Sequence, residues 1–362
     1  MLGNVARVLS VAVLALAVTV GVIGRVKPEL FLRIPEVGFI PWALTGNRMP
    51  PYFDEACLHK ENWKGEKGDI VVSSGAKAGT LWLQTIVLLL RSNGWDDFDA
   101  MNDYYGTCEM LAFPEETMEM RMEKTENKRA VAKEKGFVGF QIFTHKFPGT
   151  NPTLVGLDPK LNPDVKYIAI VRNGKEVLKS FLDFMNSHTK KFRDMWGGFP
   201  PPMDGPEAIL KFAVDDMPDF YFGHLKAWWD FKDEPNVLLL HYRNMRSDPA
   251  GSIRQIASFL EIPLTDDLFE TVLRKSSLEY MSNPPHPNKY TGFVGYPDDQ
   301  FSFVEEHGHI RPGGGKLVDH TKEDNFFTEE MLAKWEAAMQ KHFGHDPALV
   351  EFANTGSLPS MP

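Results

Sequence analysis

Short apolar runs alternate with longer amphipathic stretches through most of this chain. Four runs rich in Val, Ile and Leu predict β-strands: Ile70–Ser73, Val138–Phe143, Tyr167–Val171 and Val237–His241. Apolar residues at helical spacing fill most of the stretches between these runs, and parallel strands require such crossovers. The pattern therefore predicts an α/β fold, with one mainly parallel central sheet that is flanked on both faces by helices.

The same pattern divides the chain into four segments. They are an apolar N-terminal segment (1–25), an irregular stretch rich in Pro, Trp and Phe (26–66), the α/β domain (67–345) and a C-terminal tail (346–362). The last helical pattern of the domain begins near Thr328 and stops at Gly344. Its predicted core-facing residues are Leu332, Trp335, Met339 and Phe343. No repeat or shift of composition splits the domain further.

The N-terminal segment contains an uncharged run, Val8–Gly24, between Arg7 and Arg25. Its length is close to the shortest helix that spans a bilayer, about 17 residues, and it predicts a single-pass membrane anchor. Basic residues are more numerous after the run than before it, so the positive-inside rule places the domain in the cytosol. Two alternatives stay open: a signal peptide cleaved at Ala15-Leu-Ala17, and a buried N-terminal helix.

Composition narrows the class of partner. A net charge of -10 over 362 residues argues against nucleic acid, which usually requires a broad basic surface. The two cysteines, Cys57 and Cys108, form no disulfide framework and match no zinc-binding spacing. No Asn-X-Ser/Thr acceptor for glycosylation occurs, because Asn151 is followed by proline. These features favour a reducing, cytosolic environment.

The first candidate site follows the first predicted strand. The loop Gly75-Ala-Lys-Ala-Gly79 leads directly into an apolar helical pattern. The first N–H groups of a helix have no partner within it, and the helix dipole is positive there, so such a corner attracts phosphate. The loop differs from a nucleoside-triphosphate loop, in which lysine follows the second glycine; here Lys77 precedes Gly79.

A second strand-to-helix corner carries an arginine. Arg172 follows the strand Tyr167–Val171, at the place where a kinase or ATPase often has an acid that binds magnesium. A fixed cation at a strand end suits a second phosphate better than a metal ion. The two corners together predict a nucleotide site that requires no metal.

These corners resemble the sulfotransferase family that uses phosphoadenosine phosphosulfate (PAPS), in particular its soluble-type, small-molecule branch. Gly75-Ala-Lys-Ala-Gly-Thr-Leu-Trp82 is similar to the family's first phosphate motif, and Arg172 with Ser180 keeps the spacing of its second. Further segments resemble the catalytic-histidine, adenine and second-phosphate motifs of the family: Phe143-Thr-His-Lys-Phe-Pro148, Leu238-Leu-Leu-His-Tyr-Arg-Asn-Met245, Ser276-Ser-Leu-Glu-Tyr-Met281 and Ile310-Arg-Pro-Gly313. The resemblance runs in the expected order from about Gly68 to Phe343.

The resemblance implies a role for each matching residue. His145 is the expected general base, and Lys77 is the expected partner of the charge that develops on the leaving phosphate. PAPS is expected to bind to Lys77, Ala78, Gly79, Thr80, Trp82, Arg172, Ser180, Tyr242, Ser276, Arg311 and Gly313. No metal takes part in this scheme.

The chain departs from the family pattern at several positions. The usual Tyr-Pro is Gly75-Ala76, and the second threonine after Gly79 is Leu81. The lysine two residues before the histidine is Phe143, and the lysine after Arg311 is a proline. The changes remove one hydroxyl and two charges from the expected site, and Lys316 is available to replace one of the charges.

The expected reaction is transfer of a sulfuryl group from PAPS to a hydroxyl or amine of a small, lipophilic acceptor. Three alternatives stay open. One is a lumenal carbohydrate sulfotransferase, which explains the N-terminal apolar run equally well. The others are a P-loop kinase and a non-catalytic nucleotide-binding relative of this fold.

Overall fold

The structure is a computed structural model, and it describes residues 11–20, 22, 56–95, 105–107, 118–186, 202–282 and 326–358. Within these residues, five parallel strands form one sheet in the order β2-β3-β1-β4-β5. The strands are β1 (Ile70–Ser74), β2 (Tyr105–Thr107), β3 (Gln141–Thr144), β4 (Lys166–Val171) and β5 (Val237–His241). Helices cover both faces of the sheet, so the predicted α/β fold is confirmed.

Two strands differ from the sequence prediction. β3 begins at Gln141 rather than Val138, because Gly139 has a φ of +59° and the chain turns there against the carbonyl of Gly68. A Cβ on Gly139 would lie only 1.9 Å from that carbonyl oxygen, so the turn requires glycine. Strand β2 was not predicted, since three residues are too few to show an alternating pattern.

The helices of the described residues complete the crossovers between strands and the C-terminal layer. They are α1 (Thr80–Arg91), α2 (Met118–Glu134), α3 (Gly174–Asn186), α4 (Gly205–Lys211), α5 (Phe222–Asp230), α6 (Tyr242–Ser247), α7 (Pro249–Phe259), α8 (Asp266–Lys275), α9 (Leu278–Ser282), α10 (Glu329–Phe343) and α11 (Pro347–Thr355). Strand β4 shows how they pack: Ile168 and Ile170 face one core layer, and Tyr167 and Ala169 face the other. Alternate residues of a strand point to opposite faces, so β4 is buried on both.

The C-terminal region contains one predicted helix and one that was not predicted. Helix α10 follows the prediction: the Thr328 hydroxyl accepts from Met331 N–H, and the helix ends at Gly344. Met331 takes a buried position that was expected for Leu332, which is half-buried. Helix α11 lies in the segment expected to be a tail, and its Leu349 and Phe352 pack into the same core. The packed region therefore continues past residue 345.

Helix α2 is rich in charged residues, and one of its charges is buried. Arg129 forms an ion pair with Asp69 at the start of β1, and both side chains are shielded from solvent. Asp69 also accepts a hydrogen bond from Phe140 N–H. Because a buried charge requires a paired and hydrogen-bonded environment, this ion pair ties α2 to the sheet.

The two cysteines, which form no disulfide framework, led to the expectation of a reducing environment, and a disulfide in the structure opposes it. Cys57 is disulfide-bonded, and the sequence contains one other cysteine, Cys108, which lies outside the described residues. Cys57 belongs to the 3-10 turn Ala56–Leu58, in the stretch expected to be irregular. Disulfides persist in oxidising compartments and are rare in the cytosol, so this bond opposes the environment inferred from the cysteine count.

Only part of the predicted membrane anchor lies among the described residues. Residues 11–20 are helical, and the side chains of Val11, Val13, Leu14 and Leu16 in this stretch are exposed. Within the part of the chain that the structure describes, no helix combines the length and the apolar composition that a bilayer crossing requires. Membrane attachment stays a prediction.

Candidate active site

The first predicted phosphate corner is a tight loop at the carboxyl end of β1. The loop runs from Gly75 to Gly79, and α1 begins at Thr80. Lys77 and Gly79 both have left-handed backbone conformations, with φ values of +57° and +104°. Gly79 occupies the N-cap position of α1 and offers no side chain to the first N–H groups of the helix. This geometry suits the binding of an anion at the helix N-terminus.

Glycine is required at position 79 for a second reason, which involves Tyr242. A Cβ on Gly79 would lie 2.8 Å from a ring carbon of Tyr242, which is shorter than a van der Waals contact allows. Tyr242 is the first residue of α6, directly after β5. The missing side chain therefore lets the loop backbone and the tyrosine ring approach closely.

The second predicted corner meets the first. Arg172 follows β4, and its Nη1 group donates to the backbone carbonyl of Lys77 over 3.2 Å. The guanidinium carbon lies 4.4 Å from the centroid of the Tyr242 ring. Arginine planes stack favourably on aromatic faces, so this contact holds the side chain in one orientation. The structure thus brings Lys77, Gly79, Arg172 and Tyr242 together.

An acid that the sequence reasoning missed pairs with this arginine. The Nε atom of Arg172 donates to Glu176 Oε2 over 2.8 Å, and the side chains are only 12% and 16% exposed. Glu176 lies in the first turn of α3, where the helix dipole favours a carboxylate. The signal was present in the sequence, because residues four apart on a helix are neighbours.

Trp82 and Tyr242 form an aromatic pair beside the loop. Their ring centroids are 5.9 Å apart with nearly perpendicular planes. The guanidinium group of Arg246 lies 5.9 Å from the Trp82 ring centroid. The face of Tyr242 is thus covered by Arg172, while Trp82 is half-buried at its edge. This arrangement fits the expected adenine side of the site.

Ser180 belongs to the helix surface that faces the loop lysine. The ammonium group of Lys77 lies 4.3 Å from the centroid of the Phe184 ring on α3. Ser180 precedes Phe184 by four residues and therefore shares its face of the helix. The face that carries the expected phosphate hydroxyl is accordingly directed toward Lys77.

Three more residues were predicted to bind the donor: Ser276, Arg311 and Gly313. Ser276 is buried at the end of α8, and its N–H donates to Val272 O. Helix α8, which precedes Ser276, packs against α1. Arg311 and Gly313 lie outside the described residues, and their roles stay predictions.

His145 follows β3 and contacts the end of β1. Its Nδ1 atom lies 2.7 Å from the backbone carbonyl oxygen of Ser74. A carbonyl oxygen only accepts, so Nδ1 carries the hydrogen in this bond and the lone pair of the neutral ring is on Nε2. The Ser74 hydroxyl in turn lies 2.7 Å from the Thr80 hydroxyl. One serine therefore links the histidine to the phosphate loop, and the histidine ring itself is exposed.

Behind the loop lies a buried histidine that the sequence reasoning also missed. His224 of α5 is 2% exposed, and its Nε2 atom lies 3.1 Å from the Ser73 hydroxyl. Burial, and to a lesser degree the nearby His145, lowers the pKa of His224 to about 3. The side chain is therefore neutral at physiological pH. Its sequence signal was weak, because a single histidine in an aromatic helix is an ordinary core residue.

No group of three or more His, Cys, Asp or Glu side chains among the described residues is arranged to hold a metal ion. The positive charge of the site is instead supplied by Lys77 and Arg172. Cationic side chains of this kind bind phosphate through charge-assisted hydrogen bonds.

Comparisons with a family model and with individual proteins both match this chain to sulfotransferases. Residues 67–347 match the sulfotransferase domain family. The chain is 26% identical over 233 residues to dog (Canis lupus familiaris) sulfotransferase 1B1, a match that covers 63% of this chain and 71% of that protein. It is 25% identical over 240 residues to human sulfotransferase 1E1, which covers 64% of this chain and 72% of that protein.

Solved structures share the fold. Mouse sulfotransferase SULT7A1 in complex with PAP aligns with a TM-score of 0.56 and 18% identity, covering 83% of this chain and 91% of that chain. Retinol dehydratase in complex with androsterone and the inactive cofactor PAP aligns with a TM-score of 0.52 and 19% identity, covering 81% of this chain and 85% of that chain. At these identities the similarity concerns the fold.

Proposed function

Because this chain belongs to the sulfotransferase family, we propose that it transfers a sulfuryl group from PAPS to a hydroxyl or amine of a small, lipophilic acceptor. One observation carries the proposal: the two phosphate-type corners and the histidine converge on a single loop. Arg172 reaches the loop through Lys77 O, and His145 reaches it through Ser74. The PAP complexes of SULT7A1 and retinol dehydratase, which share the fold, support PAPS as the donor.

The residues of the two corners fit a nucleotide with two phosphate groups. The backbone N–H groups at the start of α1, together with Lys77, suit the phosphate that leaves with the nucleotide. Arg172 uses one N–H for Glu176 and one for Lys77 O, and a guanidinium group has five N–H donors in all. Its remaining donors suit the 3′-phosphate, and Glu176 keeps the guanidinium plane in place.

We assign to His145 the role of the general base that takes the proton of the acceptor group. The hydrogen bond from Nδ1 to Ser74 O selects the tautomer whose Nε2 atom accepts a proton. As the acceptor oxygen or nitrogen forms its bond to sulfur, its proton passes to Nε2, and the bond from sulfur to the bridging phosphate oxygen breaks. Lys77 and the loop N–H groups stabilise the negative charge that the bridging oxygen gains.

Aromatic side chains around these groups support an apolar acceptor. The Phe143 ring contacts His145 edge-on at a centroid distance of 4.9 Å, and the Phe184 ring lies under the Lys77 ammonium group. Phe147 contacts His224 at 5.8 Å. Retinol dehydratase, which shares the fold, binds androsterone, an apolar small molecule. A substrate with a hydrophobic body and one polar group fits such surroundings.

Calorimetry with two matched nucleotides tests the donor assignment. Adenosine 3′,5′-bisphosphate (PAP) and AMP differ only in the 3′-phosphate, which is the group assigned to Arg172. We expect PAP to bind at least tenfold more tightly than AMP, because a charged hydrogen bond contributes about 1.5–3 kcal/mol. Equal affinities would contradict the proposal, and tighter binding of ATP than PAP would favour a P-loop kinase. PAP binding without turnover on a broad acceptor panel would favour a non-catalytic relative.

The location of the domain is a separate part of the proposal. The disulfide at Cys57 favours an oxidising compartment, and the lumen replaces the cytosol as the side on which we place the domain. A lumenal position also keeps the carbohydrate sulfotransferase open as a second candidate.

Protease protection of the full chain in sealed microsomes tests this location. We expect the domain to survive protease until detergent is added, and its cysteines to resist alkylation until a reductant is added. Cys57→Ser is the matched control, since it should leave Cys108 open to alkylation without reductant. Digestion in intact vesicles, with both cysteines alkylated directly, would place the domain in the cytosol. Recovery of the uncleaved chain in the soluble fraction would contradict the predicted anchor.

A further inference from the structure

A buried hydrogen-bond cluster lies directly behind His145, and neither phosphate binding nor proton transfer uses it. Its members are the Ser73 hydroxyl, the His224 ring and the Trp228 indole N–H. The three side chains are 0%, 2% and 0% exposed. Apolar side chains would cost less free energy to bury at such a depth, because every buried polar group requires a hydrogen-bond partner. The cluster therefore points to a role in positioning the residues around it.

The direction of each hydrogen bond follows from which atoms can only donate and which can only accept. The Trp228 N–H only donates, and it lies 2.9 Å from Ser73 Oγ. The Lys146 carbonyl only accepts, and it lies 2.8 Å from the same oxygen. Since Ser73 has one hydrogen and gives it to Lys146 O, its second lone pair accepts from Nε2–H of His224 over 3.1 Å. All three partners of the hydroxyl are thus satisfied.

This cluster reaches the backbone next to His145. Ser73 and Ser74 are adjacent residues of β1: the first holds Lys146 O through its side chain, and the second holds the His145 ring through its carbonyl. Lys146 N–H also donates to the Thr144 hydroxyl over 2.9 Å, which closes the turn after β3. The ring of His145 and the backbone that follows it are therefore both held by adjacent residues of β1.

His224 also lies beside the phosphate loop. Its Nδ1 atom would lie 3.6 Å from a Cβ built on Gly75, an ordinary van der Waals distance. The loop residues Gly75, Ala76 and Ala78 and the side chain of Arg172 line a cavity with His224. A neutral ring at this place supports the loop without adding charge beside the cations.

We propose that Ser73, oriented by His224 and Trp228, is a positioning residue that fixes the His145 backbone for proton transfer. The inference rests on the proposed function, since it assigns the base role to His145. Loss of the Ser73 hydroxyl leaves Lys146 O without its buried donor and releases the turn, so that the imidazole loses its alignment.

The test compares variants by kcat, by PAP affinity and by NMR of the histidine rings in the full chain. We expect Ser73→Ala and His224→Leu to lower kcat about tenfold and to leave the Kd for PAP within about twofold. His224→Gln should restore most of kcat, because its amide N–H replaces the Nε2 donor to Ser73. Ser252→Ala is the matched control: this buried hydroxyl donates to a backbone carbonyl, Asp248 O, away from the site.

Several results would overturn the inference. One is an unchanged kcat in Ser73→Ala. Another is an equal loss of kcat in His224→Gln and His224→Leu. The third is a loss of kcat in Ser252→Ala as large as that in Ser73→Ala. If a variant fails to fold, Trp228→Phe keeps an aromatic side chain and removes one donor, and the His145 Nδ1–H signal then reports the alignment of the His145 ring. An unaltered signal in that variant would contradict the inference. Absence of turnover in the unmodified protein would instead contradict the proposed function, with the NMR comparison still deciding the positioning role.

Discussion

We expect His145→Ala to lower turnover by about 10²–10⁴-fold, the range that a positioned general base contributes. The reason is the fixed tautomer: the bond from Nδ1 to Ser74 O puts the lone pair on Nε2, the atom that we propose takes the acceptor proton. PAP affinity should change little, because phosphate binding is assigned to Lys77, Arg172 and the loop N–H groups. Steady-state kinetics at saturating donor, together with calorimetry, measures both quantities.

His145→Asn makes this test sharper. The asparagine amide reproduces the Nδ1–H donor and keeps the hydrogen bond to Ser74 O, but nothing replaces the Nε2 acceptor. The asparagine variant should therefore be as slow as the alanine variant. His345→Ala, which changes another exposed histidine, is the control and should retain activity. Near-normal turnover in both His145 variants would show that another group takes the proton.

We expect Arg172→Ala to weaken PAP binding between about tenfold and a hundredfold. A charged hydrogen bond to phosphate contributes about 1.5–3 kcal/mol, and 1.4 kcal/mol corresponds to tenfold in affinity. AMP affinity should change much less, because AMP lacks the 3′-phosphate. Calorimetry of both nucleotides on both proteins gives the comparison, and an equal loss for the two would contradict the assignment to the 3′-phosphate.

Glu176 requires a control in this experiment. Removal of Arg172 leaves the shielded Glu176 carboxylate without its partner, and that charge alone would repel a phosphate. In the double variant Arg172→Ala/Glu176→Gln this charge is gone. If the arginine binds phosphate directly, the double variant should stay weak. Recovery of PAP affinity in the double variant would show that Arg172 acts only by neutralising Glu176.

The separate local parts of the site were readable from the sequence. The loop from Gly75 to Gly79 follows a β-branched strand and precedes an apolar helix, and such a unit has one common geometry. The strand before Arg172 and the helix cap at Thr328 were predicted for the same reason: neighbouring residues determine them. Strand β2 was not predicted because three residues are too few to show a pattern. Helix α11 was not predicted because its apolar residues pack on distant elements.

The contacts between those parts depend on residues far apart in the chain. The sequence did not indicate that Tyr242 approaches Gly79 or that the His145 ring donates to Ser74. The cluster of Ser73, His224 and Trp228 joins residues about 150 positions apart. Cys57 shows the same limit, because two cysteines in a sequence do not reveal whether they pair.

The sequence by itself determined the α/β fold, the two phosphate-type corners and the family to which this chain belongs. Short-range patterns carry that information, because hydrophobic periodicity and loop residues act over a few positions. Only the tertiary structure decided which atoms of the site meet. The parallel order of β3, β1 and β4 places their carboxyl ends side by side, and this brings His145, the loop and Arg172 together. Hydrogen-bond partners, tautomers and shifted pKa values follow from that convergence and from burial, which no local pattern contains.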